Sequence, residues 1–272
     1  MPPELFLSAG LAGAVAAACL VLSWIFREYS WTDRIWSVVP AVYVGSFAWA
    51  AGGQDLRLDA MTAMAALWGA RLTFNFWRKG GYAPGGEDYR WAVLRTRMPA
   101  WAWHAFNVAF IAGYQNLLLL LIALPAWQAS RLSTPFGAPD VVMIVLWLAL
   151  LAGETLADQQ QWEFHLAKAA RRAGGEREPL GFVTTGLWAW SRHPNYFFEI
   201  SQWWVLYAWA VLAGAPLLNP SIAGAVLLTL LFDGSARFTE WITAGKYPAY
   251  ADYQRRVSRI LPWPPRPAPV PT

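Results

Sequence analysis

Long uncharged stretches alternate with short polar ones along this chain. The apolar stretches run roughly from Leu5 to Phe26, Trp36 to Ala51, Met61 to Trp77 and Trp101 to Leu124. They continue from Val141 past Gln160, from Pro194 to Ala213, and from Ile222 to Phe232 with an extension to Ile242. A membrane-crossing helix needs about 20 mostly apolar residues. The pattern therefore predicts an all-α integral membrane protein, a bundle of about seven transmembrane helices. Tyr247 to Ile260 reads as a short surface helix. The terminal PWPPRPAPVPT cannot be helical and reads as an extended tail of polyproline type. The expected organisation is one seven-helix domain over residues 1–262 and a disordered Pro-rich tail over 263–272.

Composition agrees with the pattern. Apolar residues make up 57% and charged residues 14%, against about 25% charged in an ordinary soluble domain. Lys and Arg fall on alternate loops. With the N-terminus outside, the inner loops hold Arg27, Arg34, the basic stretch 78–97, then Lys168, Arg171, Arg172, Arg177 and Arg192, and finally the stretch 237–266. The outer loops hold only Arg57 and Arg131. That asymmetry follows the positive-inside rule and puts the C-terminus in the cytosol. The net charge of +4 thus reports topology and not nucleic-acid binding. Before the first apolar stretch there is no basic run, and no cleavage signature follows it, so it reads as a first helix. Cys19 is the single cysteine, which excludes an internal disulfide. Three histidines without metal-site spacing give no reason to expect a metal. No internal repeat is visible, which disfavours an inverted-repeat transporter.

Several polar groups can carry chemistry. Ser191-Arg192-His193-Pro194-Asn195-Tyr196, followed by Glu199, is the sharpest motif. Pro suits the first turn of a helix. A helix starting there offers backbone N–H groups and its positive end to an anion, with Arg192 and His193 beside it. Asn195 and Glu199 share one helix face, and Glu199 lies a turn into an apolar span, where a carboxylate needs a partner. The plain alternative is a membrane-entry turn with Arg192 on lipid headgroups. In RKGGYAPGGEDYRWAVLR, Tyr82 and Tyr89 can stack, and Arg78, Lys79, Arg90 and Arg95 can meet phosphates. The same loop reads equally as a positive-inside loop with no ligand. Glu154 and Asp158, four apart, suit either ribose hydroxyls or counter-ion duty for Arg71 or Arg237. Arg237 and Glu240 can pair within their helix. Asp33 reads locally as an N-cap.

Taken in order, WGARLTFNFWRKGGY (68–82), EDYRWAVLR (87–95), YQNLLLLL (114–121), GETLADQQQW (153–162), SRHPNYFFE (191–199) and RFTEWITAGKYPAYADYQRRVSRILPW (237–263) resemble the steroid 5α-reductase family. The resemblance is to its bacterial branch of uncharacterised membrane proteins and runs from Asp33 onward. It implies a multi-pass reductase of the bacterial inner membrane that holds NADPH in a cytosol-facing cavity. Asn195 and Glu199 match the pair that holds the nicotinamide carboxamide, and Asp158 an acid at the ribose–phosphate region. Arg71, Lys79 and Tyr82 fall in the basic and aromatic stretch around the cofactor, with Asp88 and Tyr89 in the same loop. Arg95, Arg192 and Arg237 look like phosphate partners. His193, Tyr196, Glu240 and Tyr253 complete the implied cofactor set. Asp33, seven before Pro40, matches an acid that binds the substrate carbonyl. The tyrosine that accompanies this acid in the family is Trp68 here, which donates a hydrogen bond but is no proton donor. Tyr43 is the candidate substitute.

The expected activity is hydride delivery to the C=C of an apolar enone, such as a 3-oxo-4-ene steroid or another lipid, entering from the bilayer. The expected catalytic set is Asp33, Glu199, Trp68 and Tyr43. Membrane lipid and this substrate are the expected partners, with no obligate protein partner. One competing reading is an S-adenosylmethionine-dependent membrane methyltransferase of the isoprenylcysteine or phospholipid type, which shares the Arg-His-Pro turn and an acidic C-terminal helix. The Asn195–Glu199 pair suits a carboxamide instead. A lipid-binding scaffold or small-solute transporter is the second competitor.

Overall fold

A computed structural model describes residues 2–176 and 180–267; Arg177 and the last five residues of the tail lie outside that range. The helices are α1 (Pro3–Phe26), α2 (Trp31–Ile35), α3 (Val39–Ala50), α4 (Leu56–Arg78), α5 (Tyr89–Arg95) and α6 (Ala100–Phe106). A π-helical segment, Asn107–Tyr114, joins α6 to α7 (Gln115–Ala129). Then come α8 (Ala138–Ala173), α9 (Pro194–Leu212), α10 (Ile222–Lys246) and α11 (Tyr250–Arg256). Among the described residues there is no sheet, only a parallel bridge between Ser191 and Ser258.

Four helical stretches are long and apolar enough to cross a membrane: Pro3–Phe26, Ala100–Ala129, Ala138–Ala173 and Ile222–Lys246. Val39–Ala50 is apolar but shorter. α1 shows what such a helix presents. Small residues Ser8, Ala12, Cys19 and Ser23 are buried on one face, while Phe6, Leu7, Ile25 and Phe26 are exposed. A helix apolar all round suits a lipid solvent.

The chain divides into two compact units. The first is Met1–Trp147 with Trp203–Leu228, and the second is Leu148–Gln202 with Thr229–Thr272. In the first unit α3 packs on α4 and α7, and α1 on α7. A buried ion pair ties the start of α4 to the start of α8. Arg57 Nε lies 2.6 Å from Asp140 Oδ1, and Arg57 also donates to the Thr134 and Pro135 carbonyls. Trp209 Nε1 and the Gly137 N–H donate to the same carboxylate at 2.6 and 2.8 Å. Arg57 Nη2 is a fourth donor, at 3.2 Å from Oδ2, so every lone pair of Asp140 is used, the condition under which a buried pair is tolerated.

In the second unit the C-terminal segment binds the start of α9. The N–H groups of Arg192 and His193 donate to the carbonyls of Ser258 and Arg259 at 2.9 and 3.0 Å, and Trp263 N–H donates to the Trp190 carbonyl at 3.0 Å. Gly186, at φ +62°, lets the backbone pass close to Gln160; a Cβ there would sit 2.5 Å from that side chain. Gln160 Oε1 in return accepts from Leu187 N–H at 2.9 Å.

Candidate functional site

Two helix faces make a polar seam in the second unit. α8 carries Glu154 and Asp158, and α9 carries Asn195, Glu199 and Gln202, spaced four and three apart so that they share a face. The helices run antiparallel in this register. Asn195 Nδ2 points at Asp158 Oδ1 at 3.5 Å, the outer edge of hydrogen-bond distance, and Gln202 Nε2 donates to Glu154 Oε2 at 2.6 Å. Glu199 lies between them on α9 and is buried, as are Glu154, Asp158 and Gln202. Gly153 makes the close approach possible, since the Phe198 ring occupies the space where its Cβ would stand, at 2.4 Å.

The seam leaves two buried amide acceptors, Asn195 Oδ1 and Gln202 Oε1, among the described residues. The Asn195 amide has its Nδ2 toward Asp158. Its Oδ1 is buried and meets no donor among the described residues. Sequence reasoning misses Gln202. A lone Gln inside the apolar run SQWWVLY, three positions after Glu199, is the signal that could have found it.

One turn earlier the same unit holds a dense ionic cluster. Arg192 forks onto Glu240, with Nε 2.7 Å from Oε1 and Nη2 3.0 Å from Oε2. Its Nη1 donates to the carbonyls of Gln254, at 2.9 Å, and Val257. His193 Nε2 lies 3.2 Å from Glu240 Oε1, and its ring stacks on Tyr196 at 5.1 Å. Gln254 Nε2 reaches Glu240 Oε2 at 3.0 Å. The phosphate role expected of Arg192 is corrected here, because its guanidinium is committed to buried protein acceptors. The free helix start expected at Pro194 is likewise covered on its near side by the C-terminal carbonyls. The local Arg237–Glu240 pair is also corrected: Arg237 Nε binds Asp233 Oδ2 at 2.7 Å, and Arg259 completes that carboxylate at 2.9 Å. An i,i+4 partner on its own helix outcompetes a Glu240 already held by Arg192. Tyr253 is buried, stacks on Phe182 at 5.5 Å and donates to the Trp188 carbonyl. Burial pushes its phenol pKa up, so it serves as a neutral donor. Gln254, Arg259 and Asp233 have no signal in the sequence, because their roles arise from the return of the C-terminal segment.

A sequence profile of the family described as "Protein of unknown function (DUF1295)" matches residues 19–257. The chain belongs to the DUF1295 family. It is also 36% identical over 251 residues to the uncharacterized protein C594.04c of the fission yeast Schizosaccharomyces pombe, covering 87% of this chain and 73% of that one. No solved structure matches it. The family match spans the seam, the ionic cluster and most of the first unit.

The first unit gathers the remaining expected residues. Asp33 is not an N-cap: it lies within α2, and its Oδ2 accepts from Trp91 Nε1 at 2.9 Å. Burial and the nearby Asp88 carboxylate push its pKa up, against the Trp91 hydrogen bond. Asp88 caps α5, accepting from Arg90 N–H at 2.9 Å, and pairs with the Arg90 guanidinium at 2.7 Å. Tyr82 donates to the Arg34 carbonyl at 3.0 Å, and Arg95 lies 5.7 Å over the Tyr29 ring. Lys79 ends α4, and Tyr89 opens α5; both are exposed. Arg71 is half-buried on α4. Trp68 is fully buried, edge-on to Trp203 at 4.9 Å. The Trp68 N–H and the Tyr43 hydroxyl, both buried, meet no partner among the described residues.

Proposed function

We propose that this chain is an NADPH-dependent membrane reductase, with about seven spans and the N-terminus outside, that reduces the C=C of an apolar enone. The observation that carries the reading is the Asp158–Asn195–Glu199 row. With Asn195 Nδ2 toward Asp158, Asn195 Oδ1 is a buried acceptor one helical turn from Glu199. A carboxamide NH₂ is a donor that Asn195 Oδ1 can accept from. The residues present thus fit the carboxamide of a nicotinamide. Bound in this row, the cofactor would supply hydride.

The chain's own residues would do the rest. Asp33, whose pKa burial and Asp88 push up, would in its protonated form donate to a substrate carbonyl and make its β-carbon electrophilic. The buried indole N–H of Trp68 can add a second hydrogen bond without giving up its proton. Arg95 and Arg237 are exposed and weakly engaged, so phosphates can recruit them cheaply. The apolar, lipid-facing helices suit a substrate arriving from the bilayer of a bacterial inner membrane.

Purified protein in detergent would be titrated with NADPH, NADH and S-adenosylmethionine, reading thermal stabilisation. The reading requires NADPH to stabilise it and Asn195→Leu to weaken that effect at least tenfold. Stabilisation by S-adenosylmethionine alone would make it a methyltransferase. A null result with all three would favour a scaffold or transporter.

A further inference from the structure

The first unit contains a second polar cluster, apart from the Asp158–Asn195 row and centred on the π-helical segment. Asn107, Gln115 and Asn116 lie on one buried stripe of that segment and the start of α7, and are 1%, 5% and 1% exposed. Such segments interrupt α-helices chiefly at functional positions. The Thr32 hydroxyl enters the helix here, donating to the Ile111 carbonyl at 3.0 Å.

Counting donors settles how two of the amides face. Ser23 Oγ gives its proton to the Leu20 carbonyl at 2.7 Å, so it accepts from Asn107 Nδ2 at 2.8 Å. Asn116 Nδ2 donates to the Ala112 carbonyl at 2.9 Å and to Thr32 Oγ1 at 3.2 Å, whose own proton is already spent on Ile111. Neither amide can be flipped without setting acceptor against acceptor. Asn107 Oδ1 and Asn116 Oδ1 are therefore carbonyl oxygens, and both are buried without a hydrogen-bond partner among the described residues, with the weakly donating Cys19 thiol beside Asn116; Gln115 Oε1 and the Tyr43 hydroxyl are likewise unpartnered. Buried polar atoms are almost always paired, so this cluster calls for a partner that supplies O–H or N–H.

We infer that the Asn107–Asn116 stripe is a ligand site for the hydroxyl group of an otherwise apolar molecule. A ketone or ester suits the two amide oxygens less well, because neither can donate to it and only the Tyr43 hydroxyl could. The surroundings select an apolar body: Ile111, Ala112, Leu118 and Leu119 fill the rest of the stripe. All the oxygens are closed to solvent, so entry displaces neighbouring side chains, as ligand binding commonly does. The inference does not depend on the reductase reading, and its test needs no cofactor.

Purified protein would be heated in detergent with dodecan-1-ol, geranylgeraniol or cholesterol, each against its methyl ether, while tryptophan emission is followed. Each ether keeps its alcohol's apolar body, adds one methyl group and cannot donate. At least one alcohol should raise the wild-type midpoint by a few degrees more than its ether. Asn107→Leu and Asn116→Leu should abolish that difference. Asn107→Leu should be no less stable than wild type without ligand, because it removes an unmet acceptor and leaves Ser23 bonded to Leu20. Equal effects of alcohol and ether, an unchanged difference in both variants, or no effect of any alcohol would overturn the inference, the last meaning that water alone meets these oxygens. Should either variant fail to fold, the wild-type comparison of alcohol with ether decides alone.

Discussion

Arg192 and Glu240 meet as a two-pronged ion pair across 48 residues of sequence, and both are buried. Breaking such a pair from one side is worse than removing both ends, because a charge is left in a dry site. Glu240→Ala should therefore cost about 3–5 kcal/mol of stability, since it strands Arg192 and takes the acceptor from His193 and Gln254. Arg192→Lys should also fail to rescue, because an ammonium cannot fork onto both oxygens and reach the Val257 carbonyl. Denaturation of the purified variants, followed by tryptophan emission, checks both. A Glu240→Ala protein as stable as wild type would show that the cluster is not structural.

Gly153 and Phe198 form the tightest point of the seam. An added Cβ would lie 2.4 Å from the ring, inside any real contact. Gly153→Ala should thus lose about 1–3 kcal/mol through overpacking. Phe198→Leu on the same protein should recover part of it, since the two share one space. The double-mutant cycle is the measurement. Additive losses would mean that the helices simply move apart.

How far all this can be read from the chain depends on the range of each interaction. The apolar runs place α1, α4, α8 and α9 to within several residues at their starts, because a long apolar run favours a continuous helix. The spacing of Asn195 and Glu199 shows a shared face, and 3.6-residue periodicity needs no tertiary knowledge. Asp33 reads locally as a cap because its true partner, Trp91, is 58 residues away. Arg192 resembles an anion site because the carbonyls of Val257 and Ser258 return to it only in three dimensions. The π-helical segment carries no local mark: Asn107 to Tyr114 is as apolar as the helix on either side.

Arg57 and Asp140 form an ion pair that no expected cofactor residue joins, so it separates stability from ligand binding. Arg57→Ala should cost about 3–5 kcal/mol by stranding a buried carboxylate. Trp209→Phe should cost only about 1–3 kcal/mol, because Asp140 keeps Arg57 and the Gly137 N–H. The order of the two melting temperatures is the check. Trp209→Phe melting below Arg57→Ala would place the weight on the indole and not on the ion pair.

Asp33 yields a pH dependence with a definite sign. Burial and the Asp88 carboxylate raise its pKa in the folded chain, while the unfolded chain titrates near the usual value of about 3.9. Between those two values the folded state holds more protons than the unfolded state. Stability attributable to Asp33 is thus fully present below the unfolded pKa and is lost as pH rises through the folded one. Asp33→Asn keeps an acceptor for the Trp91 N–H and removes the ionisable group. The variant should melt with wild type at about pH 4 and above it at pH 8, the gap growing by about 1.4 kcal/mol for each unit of raised pKa. Melting curves of both proteins across that range decide it. A variant less stable than wild type at pH 8 would mean that Asp33 is ionised and held by a cation, and it would remove Asp33 as the acid of the proposed reaction.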